Sequence, residues 1–174
     1  QIYNRRYFYD SLAAMLQSAR NSKGVFSVIL LDLDGLKAIN DNYGHLVGDS
    51  IITGFAALLS QTVRDSDIVA RLGGDEFGII MPHSDKQGAF ALSKRLWEEL
   101  ERRPVYQKDD LVINVSVSIG VSGYPWGGET VEAILQWADR DMYANKVAHK
   151  FRPQLAATQP ATSAAADLDL IPDL

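Results

Sequence analysis

Between two apolar runs, Ile68 to Leu72 and Phe77 to Met81, the chain places only Gly73, Gly74, Asp75 and Glu76. This spacing constrains the fold more than any other feature. Two strands joined so closely must pair antiparallel, and glycine tolerates the positive φ that a tight hairpin asks for. Pro82 has no N–H for a ladder and closes the second strand. A turn needs only turn residues, so the two adjacent acids call for a separate explanation.

The rest of the chain supplies the partners of this hairpin. From Asn4, apolar residues recur at Phe8, Leu12, Met15 and Ala19, a helical period that fades at Asn21, Ser22 and Gly24. Val25 to Leu31, VFSVILL, is a branched apolar run bounded by Gly24 and the Asp32 to Gly35 turn region, which predicts a buried central strand. Leu36 to Asn42 suits a short helix. After Gly44 and Gly48 a second helix carries Ile51, Ile52, Phe55, Leu58, Leu59 and Val63 on one side. Ser84 with Gln87 resembles a capping box for a helix bearing Phe90, Leu92, Leu96, Trp97 and Leu100, which Pro104 stops. Val105 to Gln107 and Leu111 to Val121 predict a hairpin with a long alternating arm, and Thr130 caps a final helix reaching about Lys150. Beyond Arg152 the chain has no Lys or Arg and no sustained period, so residues 153–174 read as a low-complexity tail or linker after a single domain at 1–152.

Composition narrows the function classes. The 174 residues are 47% hydrophobic, which suits one globular domain. A formal charge of −5, from 22 acids against 17 bases, gives no basic field for tracking a nucleic-acid polymer. With no cysteine there are neither disulfides nor thiolate metal sites, and a reducing cytoplasm is the expected location. No stretch approaches about 18 uninterrupted apolar residues, so no membrane contact is expected of this fragment, whatever precedes it.

Leaving out the first helix and the extra hairpin arm, the order is strand, helices, strand, strand, helix, strand. That order predicts an α/β (α+β) fold with a ferredoxin-like, central antiparallel sheet flanked by helices. In such a sheet the first two strands run the same way with the third between them, because helical crossovers return the chain to the starting edge. Asp32 and Asp34, at the end of the first strand, would then meet Asp75 and Glu76 in the hairpin. Four acids on one edge repel unless a cation sits among them. With no cysteine and no histidine cluster, the expected ion is hard and oxygen-preferring, and Mg²⁺, completed by substrate phosphates and water, fits best. Two such ions would activate an attacking oxygen and stabilise a leaving one.

Several longer motifs stand in one order: NRRYF at Asn4 to Phe8, LDLDGLKAINDNYGHLVGD at Leu31 to Asp49, DIVARLGGDEF at Asp67 to Phe77, VSIGVS at Val117 to Ser122, and ADRDMYANK at Ala138 to Lys146. Together they resemble the GGDEF domain, the catalytic unit of diguanylate cyclases, with its nucleotide-cyclase-like fold. The resemblance implies condensation of two GTP into cyclic di-GMP with release of two pyrophosphates, one GTP being presented by each domain of a homodimer. It implies Mg²⁺ or Mn²⁺, two ions per half-site, bound by Asp32, Asp75 and the backbone carbonyl of Leu33. Glu76 would bind the second ion or help deprotonate the attacking 3′-hydroxyl, making Asp75 and Glu76 the catalytic pair.

The same resemblance implies a substrate site. Asn40 and Asp49 would read guanine, Lys37 and Lys146 would bind phosphate, and the amides of Gly35 and Leu36 would add to the phosphate cradle. Gly73 and Gly74, without side chains, would let the base approach. Arg64 and Asp67, as RDSD five residues before Gly73, resemble the family's inhibitory product site, in which arginine grips guanine.

Three departures qualify the match. Gln1 stands where the family usually has the glycine of an L-T-G-L motif, so the entry helix is expected upstream. His149 and Lys150 stand where Gly and Arg are common, leaving Lys150 as a phosphate contact with charge but no bidentate fork. The tail has no family counterpart. The alternative is a binding module that keeps GTP or cyclic di-GMP without making product, although degenerate relatives usually lose hairpin acids or glycines and none is lost here.

Overall fold

A computed structural model of the chain describes residues 2–150, with only the backbone course given for 148–150. The expected tail and the side chains of His149 and Lys150 lie outside the described residues. The elements are β1 (Tyr3–Asn4), α1 (Arg5–Ser22), β2 (Phe26–Leu33), α2 (Leu36–Tyr43), α3 (His45–Thr62), β3 (Ile68–Arg71), β4 (Glu76–Pro82), α4 (Lys86–Arg102), β5 (Tyr106–Lys108), β6 (Leu111–Ile113), β7 (Val117–Tyr124) and α5 (Val131–Lys150).

Five strands form the main sheet in the order β1-β3-β4-β2-β7. Strand β4 pairs antiparallel with both β2 and β3, so these two run the same way with β4 between them, as the element order predicts. Strand β7 pairs antiparallel on the other side of β2. The central strand is buried on both faces, which accounts for its unbroken apolar run.

Alternation along the strands feeds two cores. Ile29, Leu31 and Leu33 of β2 with Phe77, Ile79 and Met81 of β4 pack beneath α3 and α4, against Ile51, Phe55, Leu59, Leu92 and Leu96. Phe26, Val28 and Ile80 pack on the opposite face with Phe8, Leu12 and Leu16 of α1 and Ile134 of α5. Each such side chain contributes about 1.5–3 kcal/mol on burial. Gly78 is required by contact: a Cβ there would lie 2.6 Å from the Phe8 ring that crosses β4.

Four local expectations are corrected. Helix α3 begins at His45, so Gly48 and Asp49 lie inside its first turns instead of preceding it; Gly48 is a packing residue, buried where a side chain would strike Asn40. The cap of α4 is Asp85, whose side chain accepts from the Gly88 N–H at 2.9 Å, while the Ser84 carbonyl accepts from the buried Ser27 hydroxyl. The long arm after Leu111 is broken. Its first part pairs with β5 as a separate ribbon, and only from Val117 does the chain join β2. Gly73 and Gly74 do not adopt positive φ; among glycines that conformation occurs at Gly35, Gly44 and Gly128. Thr130 caps α5 as expected, accepting from the Ala133 N–H at 3.1 Å.

Candidate active site

Asp32 and Glu76 stand directly opposite each other on β2 and β4. The Leu33 N–H donates to the Asp75 carbonyl at 3.0 Å, just beyond this pair. Asp32 and Glu76 therefore occupy a non-hydrogen-bonded position of the ladder, where facing side chains come closest, with Cβ atoms about 4.5–5.5 Å apart. Asp32 alternates with Leu31 and Leu33, which enter the α3/α4 core, so its carboxylate leaves the sheet on the α1/α5 side. Glu76 borders a cleft of about 330 Å³ on that side, between Arg5 and Tyr9 of α1 and Leu135 and Asp139 of α5.

Lys146 reaches this edge from α5, its Nζ 2.6 Å from Asp32 Oδ1. Two contacts seat the helix there: Asp141 accepts from the Val121 N–H at 2.9 Å, and Asn145 donates to the Ile119 carbonyl at 2.8 Å. Burial pushes the Asp32 carboxyl above the usual carboxylate range, Asp75 and Asp34 push the same way, and the hydrogen bond from Lys146 pulls against them. The hydrogen bond to Asp32 raises the Lys146 ammonium in turn, against the lowering effect of its partial burial. Both groups thus shift upward, Asp32 chiefly through burial and Lys146 chiefly through its hydrogen bond to Asp32.

Asp34 turns inward. The Ser118 hydroxyl donates to its Oδ1 at 2.8 Å, and its other oxygen is buried with no donor. Since the Leu33 N–H faces Asp75, the Leu33 carbonyl faces the same way. Among the described residues no donor reaches that carbonyl. No three His, Asp or Glu side chains come together as a cage among those residues. The donors present, carboxylates beside an unsatisfied carbonyl, fit a hard cation that takes few ligands from the protein and completes its shell with phosphate and water.

In the hairpin the Leu72 and Gly73 amides both donate to the Glu76 carbonyl, at 2.8 and 3.3 Å. A Cβ on Gly73 would lie 2.7 Å from Glu76 Oε2, whereas Gly74 faces open space. Thus Gly73 leaves room for the carboxylate itself. Arg71, which the sequence reading passed over, donates from Nε to the Gly73 carbonyl at 3.0 Å and from Nη2 to the Gly74 carbonyl at 2.9 Å.

The other candidates flank this edge. Gly35, at φ 75°, opens α2 with no side-chain cap, so the first amides of that helix keep their donors free, next to buried Leu36 and exposed Lys37. The Gly44 N–H returns to the Asn40 carbonyl at 2.9 Å and turns the chain from α2 into α3. That turn sets Asn40 against Gly48, with exposed Asp49 next in sequence, and leaves Asn40 Oδ1 buried without a donor. Asp49 is thus open to solvent, whereas Asn40 Oδ1 packs against Gly48. Arg64 and Asp67 form a closed turn after α3: the Arg64 N–H donates to the Asp67 carboxylate at 2.9 Å and the Asp67 N–H to the Arg64 carbonyl at 3.0 Å. The exposed Arg64 guanidinium has no partner among the described residues. Asp67 thus shapes the turn that presents it.

The chain's likenesses agree with this geometry. A sequence profile described as "Diguanylate cyclase, GGDEF domain" matches residues 1–152. Diguanylate cyclase A of Treponema denticola is 32% identical over 145 residues, covering 82% of this chain and 39% of that protein. Response regulator PleD of Caulobacter vibrioides is 35% identical over 146 residues, covering 83% of this chain and 32% of its own length. The chain therefore spans well under half of either relative. The crystal structure of the GGDEF domain of YfiN (TpbB) from Pseudomonas aeruginosa superposes with a TM-score of 0.80 at 32% identity, over 85% of this chain and 92% of that one. The GGDEF domain of DgcB from Caulobacter crescentus, solved in complex with c-di-GMP, gives 0.79 at 25% identity, over 85% of each chain. A profile match over most of the length, on a sheet that brings the two acidic segments into register, means that the chain belongs to the GGDEF family.

Proposed function

We propose that this domain is a diguanylate cyclase, condensing two GTP into cyclic di-GMP and two pyrophosphates. The observation that carries the reading is the facing of Asp32 and Glu76 across β2 and β4, beside the Leu33 carbonyl and Lys146. In each half-reaction the 3′-oxygen of one GTP bonds to the α-phosphorus of the other as the bond to pyrophosphate breaks. Glu76 lies exposed at the edge of the site, where it can take the 3′-hydroxyl proton. Lys37, Lys146 and the opening amides of α2 would hold phosphate oxygens, with Lys150 as a further cation, and Asn40 with Asp49 would read guanine. Mg²⁺ or Mn²⁺, two ions per half-site held by Asp32, Asp75, the Leu33 carbonyl and Glu76, would offset the charge that builds on the transferring phosphate.

One site holds one GTP, so turnover needs two copies face to face, and Arg64 would hold product as a brake on that arrangement. The domain would work in the cytoplasm, where GTP is available; among the described residues no helix is long and apolar enough to cross a membrane. The rival reading, a module that binds GTP or cyclic di-GMP without turnover, would draw on the hold Lys146 has on Asp32, which already neutralises part of the acidic edge. Incubating the chain with GTP and Mg²⁺ and separating the nucleotides by chromatography decides between them. Cyclic di-GMP is expected; GTP retained unchanged by the protein would establish the rival.

A further inference from the structure

Arg71 ends β3 with its side chain folded back along the hairpin, its guanidinium bridging two consecutive carbonyls, those of Gly73 and Gly74. The peptides linking Gly73 to Gly74 and Gly74 to Asp75 are trans. In a planar trans peptide the N–H points opposite to the C=O. Drawing both carbonyls toward Arg71 therefore aims the amides of Gly74 and Asp75 away from it. Neither amide meets an acceptor among the described residues, whereas the preceding amides of Leu72 and Gly73 both close the turn onto Glu76. Successive free amides of this kind form a concave donor pair suited to an anion.

The geometry points to Arg71 as a positioning residue: its fork fixes two peptide planes so that the Gly74 and Asp75 amides face the phosphate oxygens of bound nucleotide. This rests on reading the edge as a nucleotide site. The task suits arginine, whose rigid planar group engages two acceptors at once, while lysine offers a point charge that cannot hold both planes. Arg71 is exposed and belongs to neither core, so replacing it leaves the sheet in place.

The test uses the full chain as wild type, Arg71→Ala and Arg71→Lys, with a non-hydrolysable GTP analogue as probe. In the wild type the Gly74 and Asp75 amide resonances are expected to shift on adding the analogue. Both variants should lose those shifts and at least about tenfold in kcat at an unchanged melting temperature. Added guanidinium, but not methylammonium, should restore Arg71→Ala in part. An Arg71→Lys variant with wild-type shifts and rate would overturn the assignment, since charge alone would then suffice. A loss of rate that follows the melting temperature would overturn it as well. If the wild type makes no cyclic dinucleotide, the cyclase reading falls, and the analogue-induced amide shifts still decide the role of Arg71.

Discussion

Glu76 faces Asp32 across a position of the β2–β4 ladder that no hydrogen bond spans, which brings residues 44 apart in sequence to the closest approach an antiparallel pair allows. Asp75 and Asp34 also act on Asp32, and the fold tolerates this acidic edge because the α1/α5 side is open at Glu76 and supplies Lys146 at Asp32.

Glu76→Gln removes the charge and keeps the volume. Because Glu76 is exposed, the melting temperature should hold while turnover falls on the order of a hundredfold or more, as for loss of a general base. Initial rates beside thermal unfolding check this.

Gly73→Ala and Gly74→Ala should part company. A methyl on Gly73 meets the Glu76 carboxylate, the far end of a flexible side chain, so that carboxylate is displaced with little loss of stability and activity falls. A methyl on Gly74 meets nothing in the free protein. Any rise in KM for GTP in Gly74→Ala would therefore report the close approach of nucleotide to the hairpin.

Lys146→Met should raise the Asp32 carboxyl further, because the hydrogen bond and charge that pull it down are lost while burial and the neighbouring acids stay. Carboxyl ¹³C titration by NMR reads this directly. The raised ammonium of Lys146 stabilises the folded state below its unfolded value near 10.5, and that contribution is lost as pH climbs through the higher folded value. The wild type should thus lose more stability than Lys146→Met across the alkaline limb.

The ferredoxin-like order and the facing of Asp32 with Glu76 were legible in the sequence because each rests on a strong signal: apolar runs of strand length, two helical crossovers and a four-residue hairpin. What escaped were main-chain details. Arg71 reads as an ordinary polar residue at a strand end, and nothing in its type tells that its fork will turn back on two carbonyls. Tyr3 and Asn4 form a two-residue strand beside β3, too short to carry a period. The break between Ile113 and Val117 was hidden because alternation continues through it, and only pairing with different partners separates the two segments. Asp141 and Asn145, spaced one helical turn apart, bear the polar pattern that seats α5 on β7, yet their acceptors and donors lie on another element.

Arg64→Ala should weaken cyclic di-GMP binding by about tenfold or more, at roughly 1–3 kcal/mol per lost bidentate contact, and leave the initial rate level or higher. The Asp67 carboxylate keeps its bond to the residue 64 main chain in this variant, so the turn survives. Titration calorimetry with cyclic di-GMP on both proteins checks the affinity, and equal values would return Arg64 to the surface.

A preference for GTP over ATP is expected from the proposed nucleotide site. If Asn40 and the exposed Asp49 read guanine, adenine would leave them unpaired, at about 1–3 kcal/mol. The ratio of kcat/KM for GTP and ATP should favour GTP, and Asp49→Ala should narrow it.

The cyclase assignment is tested most directly by following the chain with GTP and Mg²⁺ by ³¹P NMR, beside Glu76→Gln under the same conditions. Wild type should convert α-phosphorus into phosphodiester while releasing two pyrophosphates per cyclic dinucleotide, and Glu76→Gln should leave the GTP signals standing. GTP signals that broaden on binding but never yield pyrophosphate in the wild type, or product formed equally by Glu76→Gln, would contradict it.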